Sequence, residues 1–97
     1  MQTQKDNTLL QELYEAMIRL ETAEECESFL SDLCTIKELQ AMAQRLKAAK
    51  LLLEGKTYNE VMEETDISSA TLARVSKCVR YGSGSYASVI QKTNEPK

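Results

Sequence analysis

The sequence contains no histidine. It therefore lacks both the commonest general base and the commonest neutral metal ligand. The cysteines Cys26, Cys34 and Cys78 are odd in number and never fall in a Cys-x-x-Cys pair. A zinc site would need an unusual mixture of thiolates and carboxylates. No Ser/His/Asp or Cys/His set can be assembled, and there is no glycine-rich phosphate loop. These absences argue against an enzyme, and no metal or cofactor is expected. The three cysteines are expected to be small core or half-buried residues in a reduced compartment.

Proline occurs once, at Pro96, and glycine three times, first at Gly55, which leaves most of the chain free to be helical. No apolar run reaches membrane-spanning length. The opening Met-Gln-Thr-Gln-Lys-Asp lacks the basic-then-apolar order of a secretory signal. The expectation is a cytoplasmic protein without membrane association. Its 97 residues suffice for one small domain.

The formal net charge of −3 hides a strong asymmetry. Residues 1–34 carry eight acids against Lys5 and Arg19, a local charge of −6. Residues 65–97 carry Asp66 and Glu95 against Arg74, Lys77, Arg80, Lys92 and Lys97, a local charge of +3. Local field governs approach to phosphates more than overall charge does, so the basic end stays compatible with nucleic acid.

Apolar spacing predicts a string of about five helices. Asn7 or Thr8 can cap a first helix carrying Leu9, Leu13, Met17 and Leu20. Thr22 with Glu25 forms a capping-box pattern before Cys26, Phe29, Leu30 and Leu33. Thr35 with Glu38 opens the longest helix, about 36–53, which Gly55 ends. Thr57 and Glu60 start a short helix at about 58–64. Thr65-Asp66 makes a turn, and Ser68 caps a helix at about 69–80. Beyond Gly84, Tyr86, Val89 and Ile90 can dock as a short turn, and 85–97 reads as a short flexible tail. The expected organisation is a single all-α domain over 1–84. Within it, about 7–54 supplies dimerisation helices, because three helices are apolar around more than half their circumference and a second copy would bury the surplus.

Residues 57–81 read as a helix-turn-helix unit for double-stranded DNA. Leu72, Val75 and Val79 form the inner stripe of the second helix. Ser69, Ala70, Thr71 and Arg74 are the candidates for base contact: the small side chains allow close approach, and Arg74 can bond guanine twice. Thr57, Asn59, Ser68, Lys77 and Arg80 are the candidates for the phosphate backbone. A helical protein-interaction module using the same two-helix unit is the alternative, with the acidic first third as its working surface.

Residues about 34–80 resemble the Trp repressor superfamily, through Cys34-Thr-Ile-Lys-Glu, Arg45 at mid-helix, Leu52-Leu-Glu-Gly and Ala70-Thr-Leu-Ala-Arg. The whole chain is similar to the shorter YerC/YecD-like branch. The resemblance implies an intertwined all-helical homodimer that binds palindromic operators and regulates transcription, its two readers about one DNA turn (~34 Å) apart. It also implies a candidate effector pocket. The repressor surrounds tryptophan with two arginines and a threonine, matched here by Arg45, Arg74 and Thr35. The glycine that follows the second arginine there is Val75 here, and its bulk stands where the indole ring would lie. The expectation is that Arg45 and Arg74 serve without a tryptophan ligand and hold carboxylates or phosphates; a different small-molecule effector is the alternative. The long C-terminal helix of the repressor is expected to be missing or very short.

Overall fold

The computed structural model of the chain describes residues 3–94, and over those residues it forms six α-helices: α1 (Gln4–Met17), α2 (Ala23–Leu33), α3 (Ile36–Leu53), α4 (Tyr58–Thr65), α5 (Ser69–Tyr81) and α6 (Ser85–Asn94). They divide between two units, Met1–Ile36 and Lys37–Lys97.

In the first unit, α1 begins earlier than its apolar spacing suggests. Thr3 Oγ1 accepts the Asp6 N–H at 3.1 Å, and the Asp6 carboxylate accepts the Thr3 N–H at 3.2 Å. This reciprocal box satisfies two end donors before Asn7 and Thr8 are reached. Those two residues therefore lie inside the helix, where the Thr8 hydroxyl donates to the Gln4 carbonyl at 3.0 Å. The helix stops at Met17, which leaves Leu20 outside it. At α2 the expected cap is present: Thr22 Oγ1 accepts the Glu25 N–H at 3.1 Å. Neither helix contains a buried residue. Leu9, Tyr14, Met17 and Leu33 are all exposed.

The second unit holds the core. Ala48, Ala49 and Leu51 of α3 cluster with Val61 of α4, Ile67 of the turn, Leu72 and Val75 of α5, and Ile90 of α6. Leu52, Met62, Val79 and Tyr86 pack around them. Along α3 the buried residues are confined to Ala48, Ala49 and Leu51, while Ile36, Met42, Leu46 and Leu53 remain exposed. Gly55 ends α3 with φ +92°, a left-handed geometry that glycine adopts without strain. The Lys56 N–H reaches back to the Leu51 carbonyl at 3.1 Å and satisfies one of the open carbonyls at the helix end.

A sixth helix replaces the short turn and tail expected after Gly84. Gly82 closes α5 where the chain passes close to its own carbonyl: a Cβ there would stand 2.4 Å from the Cys78 oxygen. The chain then restarts at Ser85, and α6 brings Ile90 to 9% exposure and Tyr86 against the core. Apolar burial, not propensity, orders this segment. The part of the expected tail over residues 95–97 lies outside the described residues.

Leu72 is wholly buried at the centre of this cluster. Leu72→Ala should destabilise the protein by roughly 2–5 kcal/mol, read as the shift in the midpoint of chemical denaturation. A change below about 0.5 kcal/mol, typical of a surface site, would remove Leu72 from the centre of the core.

Candidate nucleic-acid interface and adjoining cavity

The geometry of the two-helix unit is set in the turn between α4 and α5. Asp66 adopts the left-handed conformation at φ 61°, a position that aspartate tolerates better than most residues. Ile67 follows at 4% exposure and anchors the turn in the core. Thr65 fastens it on both sides: its hydroxyl donates to the Val61 carbonyl at 2.7 Å and accepts the Ile67 N–H at 3.3 Å. Gln44 of α3 donates to the Thr65 carbonyl at 3.2 Å, so the end of α4 is tied to the long helix. Ile67 opens the Ile-Ser-x-x-Thr-Leu-x-Arg order of this unit, whereas Gln44 belongs to no motif and could not be singled out from the sequence.

Both helix starts are capped as expected. Thr57 Oγ1 accepts the Glu60 N–H at 3.2 Å, and Glu60 returns a carboxylate oxygen to the Thr57 N–H at 3.0 Å. Ser68 Oγ accepts the Thr71 N–H at 3.2 Å and donates to the Thr71 hydroxyl at 2.9 Å. The Thr57 bonds hold the Glu60 carboxyl below the usual glutamate range: the bond from the backbone N–H is the larger cause, the hydroxyl follows, and Lys56 adds to it while slight desolvation opposes it.

The outer face of α5 is laid out as the apolar stripe requires. Leu72 and Val75 are buried and Val79 half-buried, while Ser69, Ala70, Arg74, Lys77 and Arg80 are exposed. Thr57, Asn59 and Ser68 are exposed at the two helix starts. Thr71 differs from its neighbours. It is half-buried, its hydroxyl is engaged by Ser68, and it forms part of a cavity wall.

That cavity has a volume of about 450 Å³ and is lined by Arg45, Thr71, Arg74, Val75, Cys78 and Tyr86. Three of the four expected pocket residues, Arg45, Arg74 and Val75, thus line one cavity. The fourth, Thr35, belongs to the first unit. Val75 is 2% exposed and part of the core cluster. Neither arginine pairs with a carboxylate among the described residues, so the expected carboxylate clasp is not formed there. Cys78 also departs from expectation. It is exposed at the cavity mouth, whereas Cys26 and Cys34 are half-buried. Tyr86 reaches the cavity only because α6 folds back, which no local signal announced.

Among the described residues, no group of three or more cysteines and carboxylates could hold a metal ion. No helix is long and apolar enough to cross a membrane.

Two capped helices joined by a left-handed turn, with a buried inner stripe and an exposed outer face of small and basic residues, define an all-α helix-turn-helix protein. The chain belongs to the Trp repressor family, whose model, described as Trp repressor protein, matches residues 8–94. It is 42% identical over 86 residues to the uncharacterized protein YerC of Bacillus subtilis (strain 168), an alignment that covers 89% of this chain and 83% of that protein. A crystal structure of a candidate Trp repressor from Staphylococcus aureus superposes with a TM-score of 0.87 at 34% identity, covering 99% of both chains. A TrpR-like protein from Eubacterium eligens ATCC 27750 gives 0.84 at 32% identity, covering 99% of this chain and 95% of that one. The six-helix arrangement is therefore a Trp-repressor-like fold.

The lowered carboxyl of Glu60 sets a pH dependence. Because its pKa is depressed in the folded state, its contribution is present above the unfolded pKa and is lost as pH falls through the folded one. Amide exchange protection in the first turn of α4 should fall over that acidic window in the wild type, and Glu60→Ala should remove the dependence. The same acid loss in both proteins would place its origin elsewhere.

Proposed function

We propose that the protein is a sequence-specific DNA-binding regulator of transcription that works as a homodimer on two-fold symmetric operators. The observation that carries this reading is the outer face of α5: Ser69, Ala70, Arg74 and Lys77 are exposed on a helix whose other side is locked into the core by Leu72 and Val75. Small residues at the start of a rigid helix allow its backbone close to base edges, and Arg74 supplies a guanine-specific donor pair. Ser69, Ala70, Thr71 and Arg74 are assigned to bases. Thr57, Asn59, Ser68, Lys77 and Arg80 are assigned to the backbone, where they fix register without reading sequence. Membership of the Trp repressor family supports the assignment.

The second copy is assigned to the apolar residues that one chain leaves uncovered. Among its described residues the first unit buries none, although it carries Leu9, Tyr14, Met17 and Leu33. Two helices with no core of their own need a partner surface to repay the entropy of ordering. The same exposed residues, set among the acids of the first third, favour the second reading, a module for a protein partner. The two readings separate by salt, because only contact with phosphates releases counterions steeply.

The cavity beside α5 is the candidate effector pocket. Two arginines lining one cavity suit an anionic group, and the buried Val75 side chain argues against the flat ring of tryptophan. Arg45 and Arg74 are the residues assigned to such an effector, with Val75 as the steric filter and Thr35 as the fourth member implied by family resemblance.

Titration of an operator duplex at several salt concentrations tests the reading. Two chains should bind per duplex, with affinity falling steeply as salt rises. Arg74→Ala should weaken specific binding by roughly 1–3 kcal/mol and relax preference at one base position. Affinity that ignores salt, or an Arg74→Ala protein indistinguishable from wild type on operator and random duplex alike, would contradict it.

A further inference from the structure

A second cavity of the C-terminal unit, about 390 Å³, lies between the α3–α4 loop and the second half of α5. It shares no lining residue with the Arg45–Arg74 cavity. Its polar wall is made by Lys56, Thr57, Ser76 and Arg80, and no carboxylate lines it. Ser76 is the one buried polar residue of the core region among the described residues, at 4% exposure, and its hydroxyl, which makes no hydrogen bond there, keeps access to the cavity it lines. A hydroxyl on a largely buried side chain that opens onto a cavity, with no protein partner, is available to an occupant of that cavity.

The start of α4 adds donors on the same side. The capping box uses the amides of Thr57 and Glu60. The intervening amides of Tyr58 and Asn59 have no partner within the helix, and the positive end of the helix dipole lies with them. The nearby acid, Glu60, has its carboxylate turned back onto Thr57 and is not part of the cavity wall. Two cations and a hydroxyl on the cavity wall, beside the start of α4, match a group with several anionic oxygens better than a neutral ligand. The volume leaves space for the ester atoms attached to such a group.

We propose that the cleft between Lys56 and Arg80, with Ser76 at its floor and the first turn of α4 at its side, is a preformed site for a phosphoryl group. Lys56 and Ser76 are thereby added to the residues assigned to phosphate. In its first form the inference rests on the DNA reading: the group is a backbone phosphate, clamped beside the reading helix. A phosphorylated small molecule offers the same chemistry, and the test separates the two sources.

Inorganic phosphate is titrated into the full-length protein at constant ionic strength, adjusted with chloride, while backbone amide shifts are followed. Saturable shifts confined to residues 56–59 and 76–80 are expected, and they should disappear in a Lys56→Gln, Arg80→Gln double variant. Both substituted side chains are exposed, so the fold should be retained. Ser76→Ala, which alters no charge, should weaken phosphate binding alone. Shifts that never saturate, spread over all basic residues, or survive in the double variant would overturn the site. A second arm measures duplex binding by Lys56→Gln alone, since Arg80 is already assigned to the DNA backbone. Equal weakening on operator and random duplex, with the log–log salt slope reduced by about one per charge removed, assigns the phosphoryl group to DNA. Unchanged duplex affinity together with lost phosphate binding assigns it to a small molecule. If the wild type binds phosphate but no duplex, the DNA reading fails while the site stands.

Discussion

Two adjacent alanines near the end of α3 set the terms for the rest of the C-terminal unit. Ala48 and Ala49 are wholly buried, and neither has a side chain long enough to hold its neighbours off. The apolar residues of α4, the turn, α5 and α6 gather on this narrow strip. Larger residues there would force the two short helices outward or off their rotamers. The left-handed Asp66 and the buried Ile67 then decide where α5 starts, and the stripe of Leu72 and Val75 decides how it is rotated. Rotation is the functional quantity: it determines that Ser69, Ala70, Arg74 and Lys77 face outward. Each side chain assigned to DNA is thus aimed by an apolar contact on the opposite side of its own helix.

The same packing gives the basic end its character. The chain is acidic overall, but eight of its fifteen acids fall in residues 1–34, while α5 carries Arg74, Lys77 and Arg80 and no acid. A helix start, two cations and the Ser76 hydroxyl line the Lys56–Arg80 cleft, and two arginines line the cavity that Val75 also lines. These are separate cavities on one compact unit. The two proposed binding events, a phosphoryl group in one and a small anion in the other, can therefore act on the same helix through different walls. Val75 belongs to the core and to the second of these cavities at once, so its bulk stabilises the unit and shapes the ligand space together.

Local chemistry made much of this legible in the sequence. The caps at Thr22, Thr57 and Ser68 each stand next to a strongly patterned apolar run, and α2, α4 and α5 begin where those caps predict. The start of α1 was obscured because three cap candidates, Thr3, Asn7 and Thr8, lie within six residues, and only the reciprocal box with Asp6 distinguishes the first. The helix α6 was hidden for a different reason. Its start is flanked by Gly82, Ser83 and Gly84, which read as a loop, and its order comes from the burial of Ile90 against residues far away in sequence. That helix also brings Tyr86 to the cavity, so the full lining was invisible until the topology was known. Cys78 was expected inside because cysteine usually is, but the spacing of Leu72, Val75 and Val79 turns position 78 outward. Arg45 and Arg74, 29 positions apart, line one cavity through tertiary packing alone; only family resemblance pointed to the pair.

The central claim is that this fold reads DNA by itself, with no added effector. The most direct test is to select genomic fragments with the purified protein at moderate salt, without ligand, and to sequence what is retained. The account predicts enrichment of a two-fold symmetric motif with half-sites about one helical turn apart. Retention with no sequence preference, or no retention at all, would contradict it.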